Sequence, residues 1–160
     1  MSKIDVDQTI RELESGKTPE WISEHTRIYR ESGGAEGHLW DSSIAGYSGL
    51  LPTLLLTTVG RRSREKRTSP LLYGTVGDAY IVIGSKGGAD KHPQWYLNLL
   101  VNPVVELQVA KEQIVARARV ATGKERQQIW ERMLKVYPPY QDYQQKTKRE
   151  IPVIVLERQR

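Results

Sequence analysis

The chain has 160 residues, no cysteine, three histidines and a formal net charge of +5. Its length suits one domain with a hydrophobic core, and the lack of cysteine excludes a disulfide framework and thiolate chemistry. The histidines show no spacing typical of a metal site. Residues 1–60 carry five Lys/Arg against nine Asp/Glu, whereas residues 61–160 carry nineteen against ten. The second part is therefore expected to bind an anionic partner.

The N-terminal sequence predicts a cytoplasmic protein. MSKIDVDQTI lacks the apolar core of a signal peptide. The most apolar stretch, IAGYSGLLPTLLLTTVG, is broken by Pro52 and by glycines, and it is too short to span a bilayer. The apolar face of a helix beginning near Trp21 is most simply core, with peripheral membrane contact through the N-terminal segment as the alternative.

Residues 1–52 are predicted to form an N-terminal helical segment. A short helix is expected over residues 5–15. A second helix begins at Thr18-Pro19-Glu20, with Thr18 as its cap, and ends at Gly33-Gly34. Residues 33–50 are glycine-rich and are predicted to be irregular chain.

Residues 53–160 are predicted to form a strand-rich domain. Apolar runs bounded by turns indicate about six strands, namely TLLLTTV, RTSPLLYGTV, AYIVIG, VVELQVA, QIVARARV and PVIVL. A helix is expected at Pro93–Val101, and another after Thr122, which would form a capping box with Glu125. Strands joined by short turns indicate an antiparallel sheet that closes into a small barrel. The predicted fold class is α+β, a small antiparallel β-barrel with flanking helices.

The segment GRRSREKR, Gly60–Arg67, places five cations and one anion in a turn between two predicted strands. Arginine fits phosphate and carboxylate groups with paired hydrogen bonds, so the segment is a candidate anion site. A solvated hairpin tip is an equally good interpretation of this segment alone. A basic turn on a small barrel is also compatible with binding of single-stranded nucleic acid.

The loop GSKGGADKHP, Gly84–Pro93, follows the buried strand YIVI and precedes an aromatic-rich helix. Glycine pairs permit close approach of the backbone to a ligand, and a helix N-terminus adds free N–H donors. Ser85 and Lys86 are favoured as site residues, because two candidate anion-binding loops lie one strand apart. A polar surface loop is the alternative, and Leu99 and Leu100 behind it are interpreted as core.

Tyr137, Tyr140 and Tyr143 recur at a spacing of three, which places them along one face of a helical turn. Three phenols would form an apolar-walled pocket whose hydroxyls hold or protonate a substrate oxygen. Covering the edge of a core is the alternative role. No nucleophile, carboxylate pair or phosphate-loop motif stands out, so the pattern suits a protein that positions a cofactor.

The segments LLLTTVGRRS, SPLLY, IGSKGGADKHPQWYLNLLVNP and YPPYQDYQQKTKREIPVIVLE resemble the deazaflavin-dependent nitroreductase family of actinobacteria, over roughly Leu54 to Leu156. The resemblance implies a split β-barrel that binds coenzyme F420. It also implies hydride transfer from the reduced coenzyme, F420H2, to an electrophilic acceptor such as a quinone, a nitroaromatic compound or a conjugated enone. The sequence differs from the family pattern at two places. Arg64-Glu65 stand where family members usually have a glycine soon after GRxS, and Ser69 stands where asparagine is common.

The resemblance also assigns roles to residues. The cations of the basic turn would hold the phosphate and the oligoglutamate tail of the coenzyme. The implied coenzyme contacts are Arg61, Arg62, Ser63, Arg67, Ser69, Pro70, Leu71, Leu72, Ile83, Gly84, Ser85, Lys86, Gln94, Trp95, Tyr96, Asn98 and Tyr140. The candidate catalytic residues, which would direct a proton to the acceptor, are Ser85, Tyr137, Tyr140 and Tyr143.

Three alternatives stay open from the sequence. FMN on the same barrel carries one phosphate and no glutamate tail, so it explains fewer of the cations in Gly60–Arg67. A barrel that binds single-stranded nucleic acid leaves the loop Gly84–Pro93 unexplained, so no nucleic-acid partner is expected. A coenzyme carrier would bind the cofactor without turnover. The expected partner is a small-molecule electron acceptor, and both a monomer and a homodimer are compatible with the sequence.

Overall fold

The computed structural model describes residues 5–15, 17–45, 47 and 49–159. Within these residues the chain forms five α-helices and eight β-strands. The helices are α1 (Val6–Glu14), α2 (Glu20–Glu31), α3 (Gln94–Val101), α4 (Gly123–Val136) and α5 (Pro139–Gln145). The strands are β1 (Leu39–Asp41), β2 (Leu50–Val59), β3 (Lys66–Leu72), β4 (Gly74–Val76), β5 (Ala79–Ile83), β6 (Val104–Val109), β7 (Glu112–Val120) and β8 (Val153–Arg158).

The strands form one curled antiparallel sheet in the order β1-β2-β6-β7-β8-β5-β4, and β3 pairs with β2 off this path. Each neighbouring pair is antiparallel. The sheet curls into a half-barrel whose strand order begins at β1 and ends at β4, so it does not close on itself as the sequence predicted. The predicted α+β class is confirmed.

The strand predicted over RTSPLLYGTV divides into two at Tyr73. The Tyr73 amide donates to the Pro52 carbonyl at 3.3 Å, and the chain then leaves β2, so that β4 pairs with β5 instead. Gly74 permits close packing of this segment on α4, because a Cβ there would lie 2.5 Å from the Met133 sulfur. The prediction of one continuous strand was wrong, since this contact between distant residues is not visible in a local pattern.

The prediction of irregular chain over residues 33–50 was wrong in part, because the segment contains β1. Asp41 pairs with Leu50, so β2 begins at Leu50 rather than at Thr53. The division of the chain after residue 52 therefore falls within a strand, and it stays a prediction. Among the described residues, no helix is long and apolar enough to cross a membrane.

The central strands β5 and β8 are buried on both faces. Val82 and Ile154 belong to a core cluster inside the curl of the sheet, while Ile81 and Val153 pack on the other face with α4 and α5. This two-sided burial explains why both strands have continuous apolar sequences without polar alternation.

The helix α2 is fixed to the sheet by Tyr29, whose side chain is fully buried. Its hydroxyl donates to the Thr53 carbonyl at 2.9 Å and accepts from the Ala110 amide at 2.7 Å. Gly34, at φ +88°, passes so close to Ala110 that a Cβ would overlap its carbonyl oxygen. The N-terminal segment therefore packs directly on the sheet.

Two predicted helix-capping bonds are absent. The N-cap of α2 is Pro19 rather than Thr18, and it makes no side-chain cap bond. Thr122 occupies the N-cap position of α4 as predicted, but its side chain makes no cap hydrogen bond, and Glu125 is bound instead by the Arg119 guanidinium at 2.6 and 2.9 Å. The charged pair between a strand and a helix replaces the local capping box.

Candidate functional site

A large cleft, here called the cationic cleft, opens beside the turn between β2 and β3 and has a volume of about 840 Å³. It is lined by Leu13, Lys17, Thr18, Ile22, Arg30, Gly60, Arg61, Arg62, Ser63, Lys66, Arg67, Thr68, Ser69, Pro70, Leu71, Ile83, Ser85, Lys86, Gly87, Pro93, Gln94, Trp95 and Asn98. Seven of these residues are Lys or Arg, and none of the lining residues that the structure describes is Asp or Glu. The cleft therefore suits a ligand with several negative charges.

A smaller cavity of about 160 Å³, here called the aromatic pocket, adjoins the cationic cleft. It is lined by Trp21, Ile22, His25, Trp40, Thr53, Pro70, Leu71, Leu72, Ile83, Ser85, Tyr137, Tyr140 and Tyr143. The two cavities share Ile22, Pro70, Leu71, Ile83 and Ser85. A ligand in the cleft and a second molecule in the pocket would therefore meet at one common wall.

The structure brings together most residues predicted for the coenzyme site. The residues that line the cationic cleft are Arg61, Arg62, Ser63, Arg67, Ser69, Pro70, Leu71, Ile83, Ser85, Lys86, Gln94, Trp95 and Asn98. Leu72 and the three tyrosines line the aromatic pocket instead. Gly84 and Tyr96 line neither cavity, since a Cβ on Gly84 would lie 2.7 Å from the Pro152 ring and Tyr96 lies against His92 with ring centroids 4.7 Å apart.

Arg61 is held in the cleft by Asn98 of α3. Its backbone amide and its Nη1 both donate to Asn98 Oδ1, at 3.2 and 2.9 Å. The Asn98 amide nitrogen donates in turn to Thr58 at 3.4 Å, and the Asn98 side chain is buried. Asn98 thus positions the arginine, and Arg64 accommodates the tight turn with a left-handed φ of 65°. Arg64 precedes Glu65 at the place where the resemblance leads one to expect glycine, the residue that tolerates such a φ best.

Arg149, a residue that no sequence motif indicated, holds the loop Gly84–Pro93 in place through its backbone. Its guanidinium donates to the carbonyls of Gly84, Ser85 and Ala89 at 3.1, 2.8 and 2.7 Å. Nη1 also lies 3.2 Å from His92 Nδ1. Because a guanidinium only donates, His92 accepts through Nδ1 and must be unprotonated there. Burial, together with the charge of Arg149, lowers the pKa of His92.

Lys86 occupies a left-handed backbone conformation, with φ 45°, in the middle of this loop. Such a conformation costs a non-glycine residue about 1–2 kcal/mol and persists only where the surroundings hold it in place. Burial lowers the pKa of Lys86, the charge of Glu14 opposes this effect, and repulsion from Arg149 and Lys91 adds to it. Lys86 makes no ion pair with any residue that the structure describes, so an anionic ligand in the cleft would supply a partner.

The glycines of the loop do not all face the ligand side. Gly87 lines the cationic cleft, whereas Gly88, at φ +87°, lies against α5. A Cβ on Gly88 would lie 2.7 Å from the Tyr143 carbonyl oxygen. Gly87 is therefore placed where a ligand could approach the backbone closely, as predicted for the glycine pair, whereas Gly88 permits close packing of the loop on α5.

The three predicted tyrosines meet in the aromatic pocket. Tyr137 and Tyr143 share a hydrogen bond of 3.0 Å between their hydroxyls, and the Tyr137 and Tyr140 rings pack edge to face with centroids 5.0 Å apart. Burial raises the pKa of all three phenols, with further contributions from the neighbouring tyrosines for Tyr137 and Tyr140. The phenols are neutral at physiological pH, so they can donate hydrogen bonds to an oxygen atom in the pocket.

The sequence profile of the F420H2-dependent quinone reductase family matches residues 21–158. The chain belongs to the F420H2-dependent quinone reductase family. The match begins within α2, so the family likeness reaches further toward the N-terminus than the resemblance over Leu54 to Leu156.

Individual relatives agree with this assignment. An F420H2-dependent quinone reductase of Mycobacterium tuberculosis is 36% identical over 137 residues, which cover 84% of this chain and 87% of that protein. A solved F420-H2 dependent reductase, FDR-A, is 41% identical with a TM-score of 0.62 and covers 66% of this chain and 94% of its own. A second solved chain, described as a domain-swapped dimer, is 37% identical with a TM-score of 0.65 over 86% of this chain and 98% of its own.

The heme storage protein HutZ of Vibrio cholerae shares the fold alone, at 18% identity and a TM-score of 0.53 over 68% of this chain and 82% of its own. The split-barrel architecture expected from the resemblance is thus confirmed by its structural neighbours.

In this family member the N-terminal helices complete both cavities. Lys17 and Arg30 add two cations to the cleft, and Arg30 donates from Nη2 to Thr68 Oγ1 of β3. Trp21 and His25 line the aromatic pocket. The apolar face of α2 was predicted to be core, so the sequence did not indicate these residues as part of the site. The clue was the pair of aromatic rings, Trp21 and His25, one turn apart on a face that also carries Ile22.

The residues present fit the coenzyme that the family uses. Lys66 and Arg67 have carboxylate partners, Glu106 and Glu65, outside the cleft at 2.8 and 3.4 Å. The other five cations of the cleft make no ion pair with any residue that the structure describes. A phosphate and a chain of glutamates would supply the missing negative charge. The described residues contain no cluster of His, Asp or Glu that could hold a metal ion.

Proposed function

We propose that this chain transfers a hydride from reduced F420 to a quinone, with the coenzyme in the cationic cleft and the acceptor in the aromatic pocket. The observation that carries the proposal is the common wall of the two cavities at Ser85. A cofactor and a substrate that exchange a hydride must be adjacent, and water should be excluded between them. The relatives named as F420H2-dependent quinone reductases support the same reaction.

In the cationic cleft, Arg61, Arg62 and Lys86 would hold the phosphate and the glutamate tail. Arginine binds such groups through two parallel hydrogen bonds, whereas lysine acts as a point charge. Arg61 is already oriented by Asn98, so little side-chain freedom is lost when the coenzyme binds. An FMN cofactor would engage fewer of these cations, because it carries one phosphate and no glutamates.

When bound, the reduced coenzyme supplies the hydride, and the protein positions the acceptor and stabilises the charge that develops on it. The Ser85 carbonyl is occupied by Arg149, while its hydroxyl bonds to no residue that the structure describes. The neutral phenols of Tyr140 and Tyr143 lie in the same pocket. These hydroxyls would donate hydrogen bonds to the acceptor oxygen, where negative charge accumulates during the reaction. Nitroaromatic compounds and conjugated enones present oxygen atoms of the same kind and are proposed as further acceptors.

The proposed partner is a small-molecule electron acceptor, with no role for nucleic acid. A homodimer is favoured over a monomer because a 37% identical solved relative is described as a domain-swapped dimer. Peripheral membrane contact through the N-terminal segment stays a proposal that would suit a lipophilic quinone. Flotation of the protein with liposomes, with and without menaquinone, would test it.

The reaction is tested by mixing the protein anaerobically with F420H2 and menadione and following oxidation of the coenzyme by absorbance. Rapid oxidation that requires the protein supports a reductase, whereas binding without turnover would indicate a coenzyme carrier. Single-stranded oligonucleotides, added at low salt, should compete with the coenzyme only if the cleft is a nucleic-acid site.

Two variants separate the cavities. Lys86→Ala should weaken coenzyme binding about tenfold, because it removes a partly buried charge from the cleft. The matched control is Lys91→Ala, since Lys91 is exposed in the same loop and lines neither cavity. Tyr140→Phe should lower kcat about tenfold with coenzyme affinity unchanged. Equal losses in the two lysine variants would show that only long-range charge matters and would contradict the assigned contact.

A further inference from the structure

His25 lies in the aromatic pocket without any part in the roles assigned above. It is the only histidine among the described residues that line either cavity. Its Nε2 lies 2.7 Å from the Gly37 carbonyl oxygen. Because a carbonyl oxygen can only accept, Nε2 carries a hydrogen in both charge states of the ring. The other ring nitrogen, Nδ1, is therefore the one that gains and loses a proton.

The reduction of a quinone needs such a group. A hydride delivers two electrons and one proton, so the acceptor still requires a second proton on an oxygen atom. The phenols of Tyr137, Tyr140 and Tyr143 release protons poorly, because burial raises their pKa. Histidine is the side chain whose ordinary pKa lies near neutrality, which makes it an efficient general acid.

We propose that the His25 imidazolium donates the proton to the reduced acceptor through Nδ1. The inference rests on the proposed function and adds a catalytic residue to it. The hydride forms a new bond on the acceptor, which gains two electrons, while the coenzyme loses two. The resulting oxyanion takes the proton from Nδ1, which leaves neutral hydroquinone and neutral imidazole. Solvent then returns a proton to the ring.

The surroundings of His25 favour this transfer. Tyr137, Tyr140 and Tyr143 line the same pocket as His25, and the hydroxyl of Thr53 on β2 lies 3.4 Å from its Nε2. On its own helix the Tyr29 ring stacks at a centroid distance of 6.3 Å, and Glu24 is paired with Arg27. The neighbouring His38 is bonded to the Tyr73 hydroxyl at 2.8 Å.

No Asp, Glu, Lys or Arg is found among the described residues that line the aromatic pocket. An imidazolium there thus lacks a formal counter-charge until an oxyanion forms on the acceptor. Proton transfer removes both charges from an apolar cavity, and this is favourable because isolated charges are poorly solvated there.

The first test compares pH profiles of menadione reduction at saturating F420H2. In the wild type, kcat should fall as the pH rises, because a general acid must carry a proton to act. His25→Gln keeps an N–H donor for the Gly37 carbonyl but carries no transferable proton. Its kcat should be about a hundredfold lower at pH 6 and nearly independent of pH, with coenzyme affinity unchanged. The matched control, His38→Gln, lies outside both cavities and should keep the wild-type profile.

The second test needs no turnover and uses the wild-type protein without coenzyme. Imidazole NMR signals are recorded with and without 4-cyanophenol, whose phenolate represents the hydroquinone anion. A phenolate that accepts a hydrogen bond from Nδ1–H should shift the ring signals of His25 and leave those of His38 in place. Unchanged His25 signals, or a His25→Gln profile that parallels the wild type, would overturn the inference. An inactive wild type would instead refute the proposed function, and the NMR signals would still decide whether His25 contacts the ligand.

Discussion

Replacement of Arg149 by alanine should loosen the loop that carries Ser85 and Lys86. The change removes the donor for three backbone carbonyls and the partner of His92 Nδ1. A hydrogen bond to a charged group contributes about 1.5–3 kcal/mol, but Arg149 is only half-buried, so water can replace part of the loss. We therefore expect Arg149→Ala to lower the free energy of unfolding by about 3 kcal/mol.

The same variant should bind coenzyme about ten- to hundredfold more weakly, because binding must then reorder the loop at a cost of about 1.4–2.8 kcal/mol. Urea unfolding gives the stability, and quenching of tryptophan fluorescence by F420 gives the affinity. Arg149→Lys should recover only part of the loss, since one ammonium cannot reach all four acceptors. Arg132→Ala, an exposed arginine on α4, serves as the control and should change neither quantity. Wild-type stability and affinity in Arg149→Ala would refute the assigned role of this arginine.

Two further predictions concern the same loop. Gly88→Ala should destabilise the protein by about 2–4 kcal/mol in urea unfolding, because Gly88 has a φ of +87° and a Cβ there would overlap the Tyr143 backbone. The control Gly77→Ala, at φ +58° with open space around it, should cost only about 1 kcal/mol. Equal losses in the two variants would show that the close approach of Gly88 to Tyr143 is unimportant. Because the pKa of His92 is lowered in the folded chain, the unfolded chain takes up a proton near pH 6.5 before the folded chain does. The contribution of His92 to the free energy of unfolding is therefore fully present above this pH and declines as the pH falls below it. His92→Gln retains an acceptor for Arg149, so its urea midpoint should fall less than that of the wild type between pH 7.5 and 5.5. Equal falls of the urea midpoint in both proteins would exclude His92 as the cause.

The parts of the candidate site that could be predicted from the sequence are those formed by contiguous motifs. The basic turn Gly60–Arg67 and the loop Gly84–Pro93 each combine charge with glycine over a few residues, so their exposure and proximity to a ligand could be inferred locally. The spacing of the three tyrosines predicted a helical face, and α5 places Tyr140 and Tyr143 on it. Which residues of these motifs contact the coenzyme stays a prediction.

The residues that the sequence did not predict depend on distant partners. Arg149 bonds to carbonyls about sixty positions away in the chain, and nothing in the segment around it distinguishes it from other basic residues. Lys17 and Arg30 lie in a region of net negative charge, so the charge pattern of the sequence did not indicate that they line a cationic cleft. The capping box predicted at Thr122 is absent, and Glu125 has a partner on a neighbouring strand instead.

The cationic cleft is predicted to hold F420 in preference to FMN. The most direct measurement is a titration of the protein with each compound, followed by quenching of tryptophan fluorescence, since Trp95 is buried in the wall of the cleft. F420 is predicted to quench the fluorescence with an affinity at least tenfold higher than that of FMN. The affinity for F420 should be lower in Lys86→Ala. Equal affinities for the two compounds, or no response to F420, would contradict the assignment of the cationic cleft to F420.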